Sequence, residues 1–520
     1  MSSKGQAGAA ARRARAAGLL LHPTSLPGQF PIGDLGPAAI AMLDWMVEAG
    51  FTVWQVLPLG PTGLGDSPYN SLSAFAGNPL LISPEALVAD GLLPPEALAP
   101  WEGLPTASVD YAAAVACKEQ LLRLAWERLA AGGFPELAAE LDRFADTERR
   151  AAWLDDWALY ISLKREHAGA SWLDWEPALR GRDPQALRRK SAALADEIRF
   201  AEFCQFLFFR QWSAVRRAAE SRGIRILGDV PIYVAPDSAD TWANSALFDL
   251  AADGRLRAVA GVPPDYFSAD GQRWGNPLYR WDVLQAQGFS WWIARLRAQL
   301  EIAHVLRLDH FRGFVAYWRI PERASTARRG KWVKGPGEAF FQAVREALGG
   351  LPLLAEDLGE INARVHSLRK KLDLPGMRVL QFGFGAIDSD HSPHRHQPRS
   401  AVYTGTHDND TTRGWFAHVG DDERRRILTY LGATPATITA AMIRAAYGSV
   451  AELAILPLQD VLDLGSESRM NTPGKEGGNW AWRVRHEDVP DGAAGRMREL
   501  AEATARLPGS SGSQGGPWRP

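Results

Sequence analysis

Short runs of apolar residues recur along the chain, and each of them ends in a polar or charged residue. In Val305-Leu306-Arg307-Leu308-Asp309 the two charged residues occupy alternate positions. A strand places alternate side chains on one face, so Arg307 and Asp309 are expected side by side at its end. Comparable runs, each with the length and composition of a buried strand, occupy residues 19–22, 52–57, 224–229, 353–357, 379–382, 402–408 and 454–460.

Stretches with helical periodicity separate the apolar runs. Between the first two runs, Ile40, Leu43, Met46 and Val47 recur at the spacing of one helix face. Near-continuous apolar strands that alternate with helices indicate a parallel sheet covered by helices on both sides. The eight runs therefore predict an α/β fold, namely a closed (β/α)8 TIM barrel.

The connections between the runs predict where the barrel carries additional structure. Residues 61–222 contain several Ala-, Leu-, Arg- and Glu-rich stretches with helical periodicity, which predict a mainly helical inserted subdomain. Residues 236–280 are rich in Pro, Gly and aromatic residues and predict a long ordered loop over the active site. The barrel is expected to span 19–505, between a flexible basic tail (1–18) and a disordered tail (506–520).

Composition and charge narrow the class of protein. A formal net charge of −2 over 520 residues implies no basic surface for nucleic acid. No apolar run approaches the roughly 20 residues that span a bilayer. Two cysteines, Cys117 and Cys204, suit a reducing compartment rather than a disulfide framework. We therefore predict a cytoplasmic protein that binds neither nucleic acid nor membrane, and the sequence indicates no oligomeric state.

Charged residues follow four of the predicted strands, at the edge where barrels carry their active sites. They are Asp229, Arg307, Asp309, Glu356, His407 and Asp408. Three or more carboxylates and a guanidinium in one pocket suggest cleavage of a glycosidic bond with retention. Arg307 would keep Asp309 ionised as nucleophile, whereas Glu356 has no adjacent cation and fits the acid/base. Taken alone, Arg307 and Asp309 also fit a structural ion pair.

Longer strings in the chain resemble one family. The strings are Ser67-Pro68-Tyr69, Gly261-Val262-Pro263-Pro264-Asp265-Tyr266-Phe267, Gln272-Arg273-Trp274-Gly275-Asn276-Pro277-Leu278-Tyr279, Ala355-Glu356-Asp357-Leu358-Gly359 and Tyr403-Thr404-Gly405-Thr406-His407-Asp408-Asn409-Asp410-Thr411. With the charged residues above, they resemble 4-α-glucanotransferases, or amylomaltases, which form glycoside hydrolase family 77 of the α-amylase clan. The clan's usual Asn-His pair after the strand-three Asp is replaced by Val230-Pro231-Ile232-Tyr233, as in this subfamily.

The resemblance implies an enzyme that transfers a segment of an α-1,4-glucan to the 4-hydroxyl of an acceptor glucan or glucose. Donor and acceptor would be maltooligosaccharides or segments of starch or glycogen, and no cofactor is implied. Asp309 would be the nucleophile, Glu356 the general acid/base and Asp408 the stabiliser of the transition state. The implied substrate contacts are Tyr69, Asp229, Tyr266, Phe267, Gln272, Trp274, Arg307 and His407.

Two other functions remain compatible with the same residues. An α-glucan hydrolase would use the same three carboxylates, and a noncatalytic carbohydrate-binding barrel would need none of them. Independently of these functions, the aromatic residues of the long loop either contact the sugar or pack to hold that loop together. Arg469, Asn471, Gly474, Asn479 and Trp480 either line the rim of the cleft or close the end of the barrel.

A short histidine-rich segment raises the question of a metal site. His391, His394 and His396 lie close together in the sequence, and imidazole is a common metal ligand. Pro393 and the surrounding loop provide no fixed spacing of ligands. We therefore predict no metal site here.

Overall fold

Twelve strands run through the part of the chain that this computed structural model describes, residues 14–104, 107–147, 153–264, 269–359, 361–475 and 477–508. They are β1 (Ala16–Leu20), β2 (Val53–Gln55), β3 (Arg225–Val230), β4 (Ala258–Val262), β5 (Gln272–Pro277), β6 (Val305–Leu308), β7 (Ala316–Pro321), β8 (Lys331–Lys334), β9 (Leu353–Ala355), β10 (Gly376–Val379), β11 (Ser400–Tyr403) and β12 (Leu453–Pro457).

Eight of these strands form a parallel sheet that curves into a nearly closed barrel, in the order β10, β11, β12, β1, β2, β3, β6, β9. Every residue of β1, β6 and β12 is buried. Helices cover the outside of the sheet and side chains fill its inside, which is why the strand sequences are continuously apolar. The arrangement confirms the predicted (β/α)8 barrel, although several predicted runs extended past the strands into the loops that follow them.

The helices lie around the barrel and between β2 and β3. They are Pro37–Glu48, Pro84–Ala89, Tyr111–Ala130, Pro135–Asp146, Leu154–Glu166, Pro177–Arg180, Pro184–Ala193, Ala195–Ser221, Ala239–Ala243, Trp281–Ala286, Ser290–Ile302, Glu338–Leu348, Ala363–Lys371, Thr412–His418, Asp421–Leu431, Ile438–Gly448, Leu458–Val461 and Ala493–Ala503. No helix in the described part of the chain combines the length and apolar character needed to cross a membrane.

The first helix shows how the sequence positions a barrel helix. Pro37 follows Gly36 at its start, where proline is favoured because the first N–H groups of a helix have no internal partner. The buried face consists of Ala39, Met42, Leu43 and Met46. Val47, which the periodicity placed on the apolar face, is 41% exposed. The helix was predicted, but its buried face includes Ala39 and Met42 and excludes Val47, so it is rotated from the predicted face.

The chain between β2 and β3 is helical over most of its described length. Its longest helix, Ala195–Ser221, buries a row of large side chains that includes Phe200, Phe203 and Trp212. The indole Nε1 of Trp212 donates to the carbonyl of Ile302 at 2.8 Å, at the end of a barrel helix. The insertion therefore shares one continuous hydrophobic core with the barrel.

Two strands of a second sheet lie within the segment 236–280, where a loop was expected. In this sheet, β4 pairs antiparallel with β5 and with β7, and β7 pairs antiparallel with β8. The expectation of a loop was wrong here because β5 is an edge strand with polar, largely exposed side chains, so no apolar alternation marks it. The other partner of β4 is β7, which lies beyond β6 in the chain.

Both ends of the described chain are more ordered than predicted. Strand β1 begins at Ala16, inside the expected tail, and Arg15 donates to the carbonyls of Tyr447 and Ser449 at 2.7 Å. Arg506, expected in the C-terminal tail, is fully buried and donates to the carbonyl of Ala16 at 2.9 Å. These arginines satisfy backbone acceptors at the end of the barrel, a long-range role that composition does not indicate.

The barrel closes between β9 and β10 through a side chain as well as the backbone. Ala355 N donates to the carbonyl of Pro375 at 2.9 Å, and Asp357 Oδ1 accepts from Met377 N at 2.7 Å. The buried Asp357 carboxylate also lies 3.1 Å from Arg369 Nε and 3.6 Å from Arg378 Nη1. This carboxylate therefore holds two strands and two buried guanidinium groups together.

We expect Asp357→Ala to lower the free energy of unfolding by about 3–5 kcal/mol, because it leaves buried guanidinium groups without their carboxylate. Urea-induced unfolding measures the loss. The control is Asp270→Ala, which removes an exposed ion pair with Arg328 and should cost less than about 1 kcal/mol. Equal losses in the two variants would show that Asp357 does not close the barrel.

Candidate active site

Three neighbouring strands deliver charged side chains to one end of the barrel. Asp229 belongs to β3, Arg307 belongs to β6, and Glu356 follows directly after β9. In the register between β3 and β6, Asp229 is the direct partner of Arg307. The carboxyl ends of parallel strands meet at one edge of the barrel, so residues far apart in sequence converge there.

The guanidinium of Arg307 connects two carboxylates. Its Nη1 donates to both oxygens of Asp229, at 2.8 and 2.6 Å, and its Nη2 lies 2.9 Å from Asp309 Oδ1. The hydroxyl of Tyr69 donates to Asp229 Oδ2 at 2.7 Å. Asp309 was predicted beside Arg307, but the closer partner, Asp229, was not. The group is thus more than the simple ion pair that the isolated sequence allowed.

Glu356 lies in a fixed and buried position. Its two carboxyl oxygens accept from the backbone N–H groups of His310 and Leu358, each at 2.7 Å. Burial, followed by the charge of Asp309, raises the pKa of Glu356 to about 8, against the opposing effect of Arg307. This carboxyl group is therefore protonated at neutral pH and can donate a proton to a bound substrate.

Asp309 differs from Glu356 in its position and in its pKa. Its side chain is 27% exposed to the cleft. Burial raises the pKa of Asp309 to about 6, while Arg307 opposes the rise and Asp229 and Asp408 add to it. From the sequence, Arg307 was expected to hold the pKa of Asp309 at its ordinary value. Instead the pKa of Asp309 is raised, and Arg307 keeps it below the pKa of Glu356. At neutral pH Asp309 is mainly ionised.

Asp408 is held by residues that follow β12. Asn471 Nδ2 donates to Asp408 Oδ1 at 2.7 Å, and Arg469 Nη2 donates to the Asp408 carbonyl at 2.7 Å. His407 Nε2 lies 3.4 Å from the same carboxylate oxygen, and burial lowers the pKa of His407. Asn471 and Arg469 therefore fix the Asp408 loop. Of the two roles that the sequence left open, lining the rim of the cleft or closing the end of the barrel, these contacts favour the first for both residues.

Aromatic rings form one wall of the cleft. Tyr69 stacks on His407 with 4.9 Å between ring centroids and 13° between planes. Trp480, a buried residue with a φ of 63°, lies 5.9 Å from Tyr69 and 6.0 Å from His407. The wall combines segments that are hundreds of residues apart, and Trp480 could be found from sequence only as a candidate for the rim.

Strand β5 brings the second sheet to the mouth of the barrel. Trp274 is 38% exposed, and its ring meets His310 edge to face at a centroid distance of 4.9 Å. Gln272 Oε1 accepts from Trp274 Nε1 at 3.0 Å. Trp274 thus contacts the residue that directly follows Asp309 in the chain, and Gln272 contacts Trp274. Tyr266 and Phe267, also predicted as substrate contacts, lie outside the described residues.

His310 is a residue of the site that sequence reasoning missed. It has a left-handed backbone conformation, with φ 50° and ψ 49°, and a short 3₁₀ helix (Phe311–Phe314) follows it. That turn directs its backbone N–H to Glu356 and its ring to Trp274. Its position directly after Asp309 was the available indication. Residue type, however, does not show that a backbone N–H will donate to Glu356.

The three histidines of 391–396 have separate partners. His391 Nδ1 accepts from Val379 N at 3.1 Å, and His394 Nδ1 lies 3.0 Å from the Tyr430 hydroxyl. His396 lies between Ser449 Oγ and the His391 carbonyl. Within the described ranges, no three His, Cys, Asp or Glu side chains are grouped as metal ligands.

Comparisons with known proteins match almost the whole chain. A family model described as 4-alpha-glucanotransferase matches residues 21–488. A 4-alpha-glucanotransferase of Thermus thermophilus is 50% identical over 505 residues, which cover 95% of this chain and 99% of the relative. A 4-alpha-glucanotransferase of Synechocystis sp. is 46% identical over 500 residues, covering 95% and 98%.

The structure agrees with these sequence matches. An amylomaltase from Streptococcus agalactiae, solved in complex with acarbose, superimposes with a TM-score of 0.91 at 36% identity and covers 95% of this chain and 100% of its own. The matched region contains the strand-end residues described above. The chain belongs to the 4-alpha-glucanotransferase family, which confirms the resemblance found in its sequence.

Proposed function

We propose that the cleft transfers a segment of an α-1,4-glucan to an acceptor sugar by two displacements at one anomeric carbon. One observation supports this proposal above all: the paired strands β6 and β9 present two carboxyl groups of different pKa. The pKa is about 6 for Asp309 and about 8 for Glu356. Near neutral pH one group is therefore an ionised nucleophile and the other a protonated acid, as a retaining mechanism requires.

In the first displacement Asp309 attacks the anomeric carbon of the donor. The glycosidic bond breaks as Glu356 gives its proton to the leaving oxygen, and the leaving glucan departs with a free 4-hydroxyl. A covalent ester then joins the sugar to Asp309, and Glu356 is left ionised. The backbone N–H groups of His310 and Leu358 hold the Glu356 carboxyl in one orientation during this exchange.

Positive charge develops on the sugar ring as the bond breaks, and Asp408 provides the negative charge that stabilises it. Asn471 holds the Asp408 carboxylate in place, so little reorganisation is needed during the reaction. Asp229, Tyr69 and His407 lie around the same space and supply polar and stacking contacts to the sugar. Arg307 balances the charge of the two carboxylates beneath it.

In the second displacement an acceptor replaces the departed glucan. Ionised Glu356 removes the proton of the acceptor 4-hydroxyl, whose oxygen attacks the anomeric carbon and releases Asp309. Trp274, which contacts His310, offers a flat surface to that acceptor, and Gln272, which accepts from Trp274 Nε1, offers a polar group. The Streptococcus agalactiae relative binds acarbose, a mimic of a maltooligosaccharide, which supports a glucan as ligand of this cleft.

Transfer is distinguished from hydrolysis by the products formed from maltotriose. We expect released glucose together with a ladder of longer maltooligosaccharides, because a sugar hydroxyl captures the glucosyl enzyme in preference to water. High-performance chromatography of the products over time measures both. Shortening to glucose and maltose alone would support the α-glucan hydrolase instead.

We expect Asp309→Asn to lower kcat by about 10⁴-fold or more, since removing a nucleophile abolishes the covalent route. Asparagine can still accept the hydrogen bond from Arg307, so the fold should persist. Release of glucose from maltotriose measures the loss, and Asp282→Asn, at a 74% exposed side chain, is the matched control. Normal turnover by Asp309→Asn would disprove its role as nucleophile.

We expect a bell-shaped dependence of kcat/KM on pH, with limbs near 6 and 8. Below the lower limb Asp309 is protonated and cannot attack, and above the upper limb Glu356 has lost the proton that it must donate. Maltosyl fluoride needs no proton for its leaving group, so its alkaline limb should disappear. Persistence of that limb with the fluoride would assign it to a group other than Glu356.

A further inference from the structure

Arg307 has a third buried contact, in addition to those with its two carboxylates. Its Nε donates to the thioether Sδ of Met377 at 3.4 Å. Met377 belongs to β10 and is completely buried. From this contact we infer that Met377 is a positioning residue of the transfer reaction, which orients the guanidinium of Arg307 and thereby the carboxylate of Asp309. The inference rests on the function proposed above.

The planar guanidinium makes the third contact decisive. Its five N–H groups have fixed directions in one plane, so two contacts determine the direction of the remaining donors. Nε points to Met377 and Nη1 to Asp229, which leaves Nη2 directed at Asp309. Without an acceptor at Nε, the guanidinium is free to turn toward a bidentate contact with buried Asp229. Nη2 would then leave Asp309.

A thioether suits this position because it accepts a hydrogen bond without adding charge. The groups that face Asp309 are Asp229 from β3, Arg307 from β6, Glu356 after β9, Asp408 after β11 and the hydroxyl of Tyr69. Most of them are acids, and Arg307 supplies the positive charge. A further carboxylate at Nε would divide that charge once more and favour protonation of Asp309.

The position of Met377 is itself fixed at the closure of the barrel. Its backbone N–H donates to Asp357 Oδ1 at 2.7 Å, and its strand pairs with β11 from Gly376 to Val379. Asp357 follows the proposed acid/base Glu356 directly in the chain. The hydrogen bond between Asp357 and Met377 therefore links the residue that follows Glu356 to the residue that contacts Arg307.

The test is the pH dependence of kcat/KM in Met377→Leu and Met377→Gln. Leucine keeps an apolar side chain of similar size but offers no acceptor, so the acid limb should move up by about one pH unit and kcat/KM at pH 6 should fall about fivefold. Glutamine places a carbonyl oxygen at a similar chain length and should return the limb to its original position. Met442→Leu, in the outer helix Ile438–Gly448, is the control for loss of a buried methionine.

The inference would be overturned if the folded Met377→Leu variant kept the acid limb of the wild type. It would also be overturned if the acid limb of Met377→Gln moved as far as that of Met377→Leu. Incorporation of norleucine replaces sulfur by CH₂ at all seven methionines and covers the case in which the leucine variant does not fold. Norleucine-labelled wild type should show the shifted limb, and norleucine-labelled Met377→Gln should not. If the unlabelled wild-type enzyme does not produce oligosaccharides longer than maltotriose, the proposed function fails, irrespective of the position of the acid limb.

Discussion

The buried guanidinium of Arg307 is the interaction on which the arrangement of the site depends. Taking a cation out of water is costly unless carboxylates of good geometry surround it. Here Asp229 and Asp309 do so, and the Tyr69 hydroxyl occupies a further position on Asp229. Since two carboxylates already share this cation, the negative charge of a third ionised acid nearby would not be neutralised by it. The raised pKa of Glu356 follows from that shortage of positive charge as well as from burial.

Two adjacent carboxylates show how strand geometry separates catalysis from stability. Glu356 and Asp357 are consecutive, and consecutive side chains at a strand end point in opposite directions. Glu356 accepts from the backbone N–H groups of His310 and Leu358, so its proton can be exchanged with a substrate. Asp357 faces the barrel wall and pairs with Arg369 and Arg378. One dipeptide thus supplies the proposed acid and a closure of the barrel.

The parts of the structure that could be predicted are those that depend on residue patterns within short stretches of the sequence. Continuous apolar runs indicated the eight barrel strands, and polar residues at their ends indicated Asp229, Arg307, Asp309 and Glu356. The second sheet escaped prediction because β4 pairs with β7, which lies beyond β6 in the chain, and because β5 has no apolar alternation. Contacts made by backbone groups, such as the N–H of His310, also escaped, because they depend on φ and ψ rather than on residue type.

The second sheet also bears on how a glucosyl enzyme would be kept for an acceptor. Its strands flank β6 in sequence, with β4 and β5 before it and β7 and β8 after it. The sheet is therefore anchored on both sides of the segment that carries Asp309, and Trp274 meets the very next residue. A surface fixed in this way keeps its distance from the anomeric carbon while one glucan leaves and another enters. Preorganised contacts of that kind favour a bound sugar over water, because the cost of orienting it is met in the folded protein.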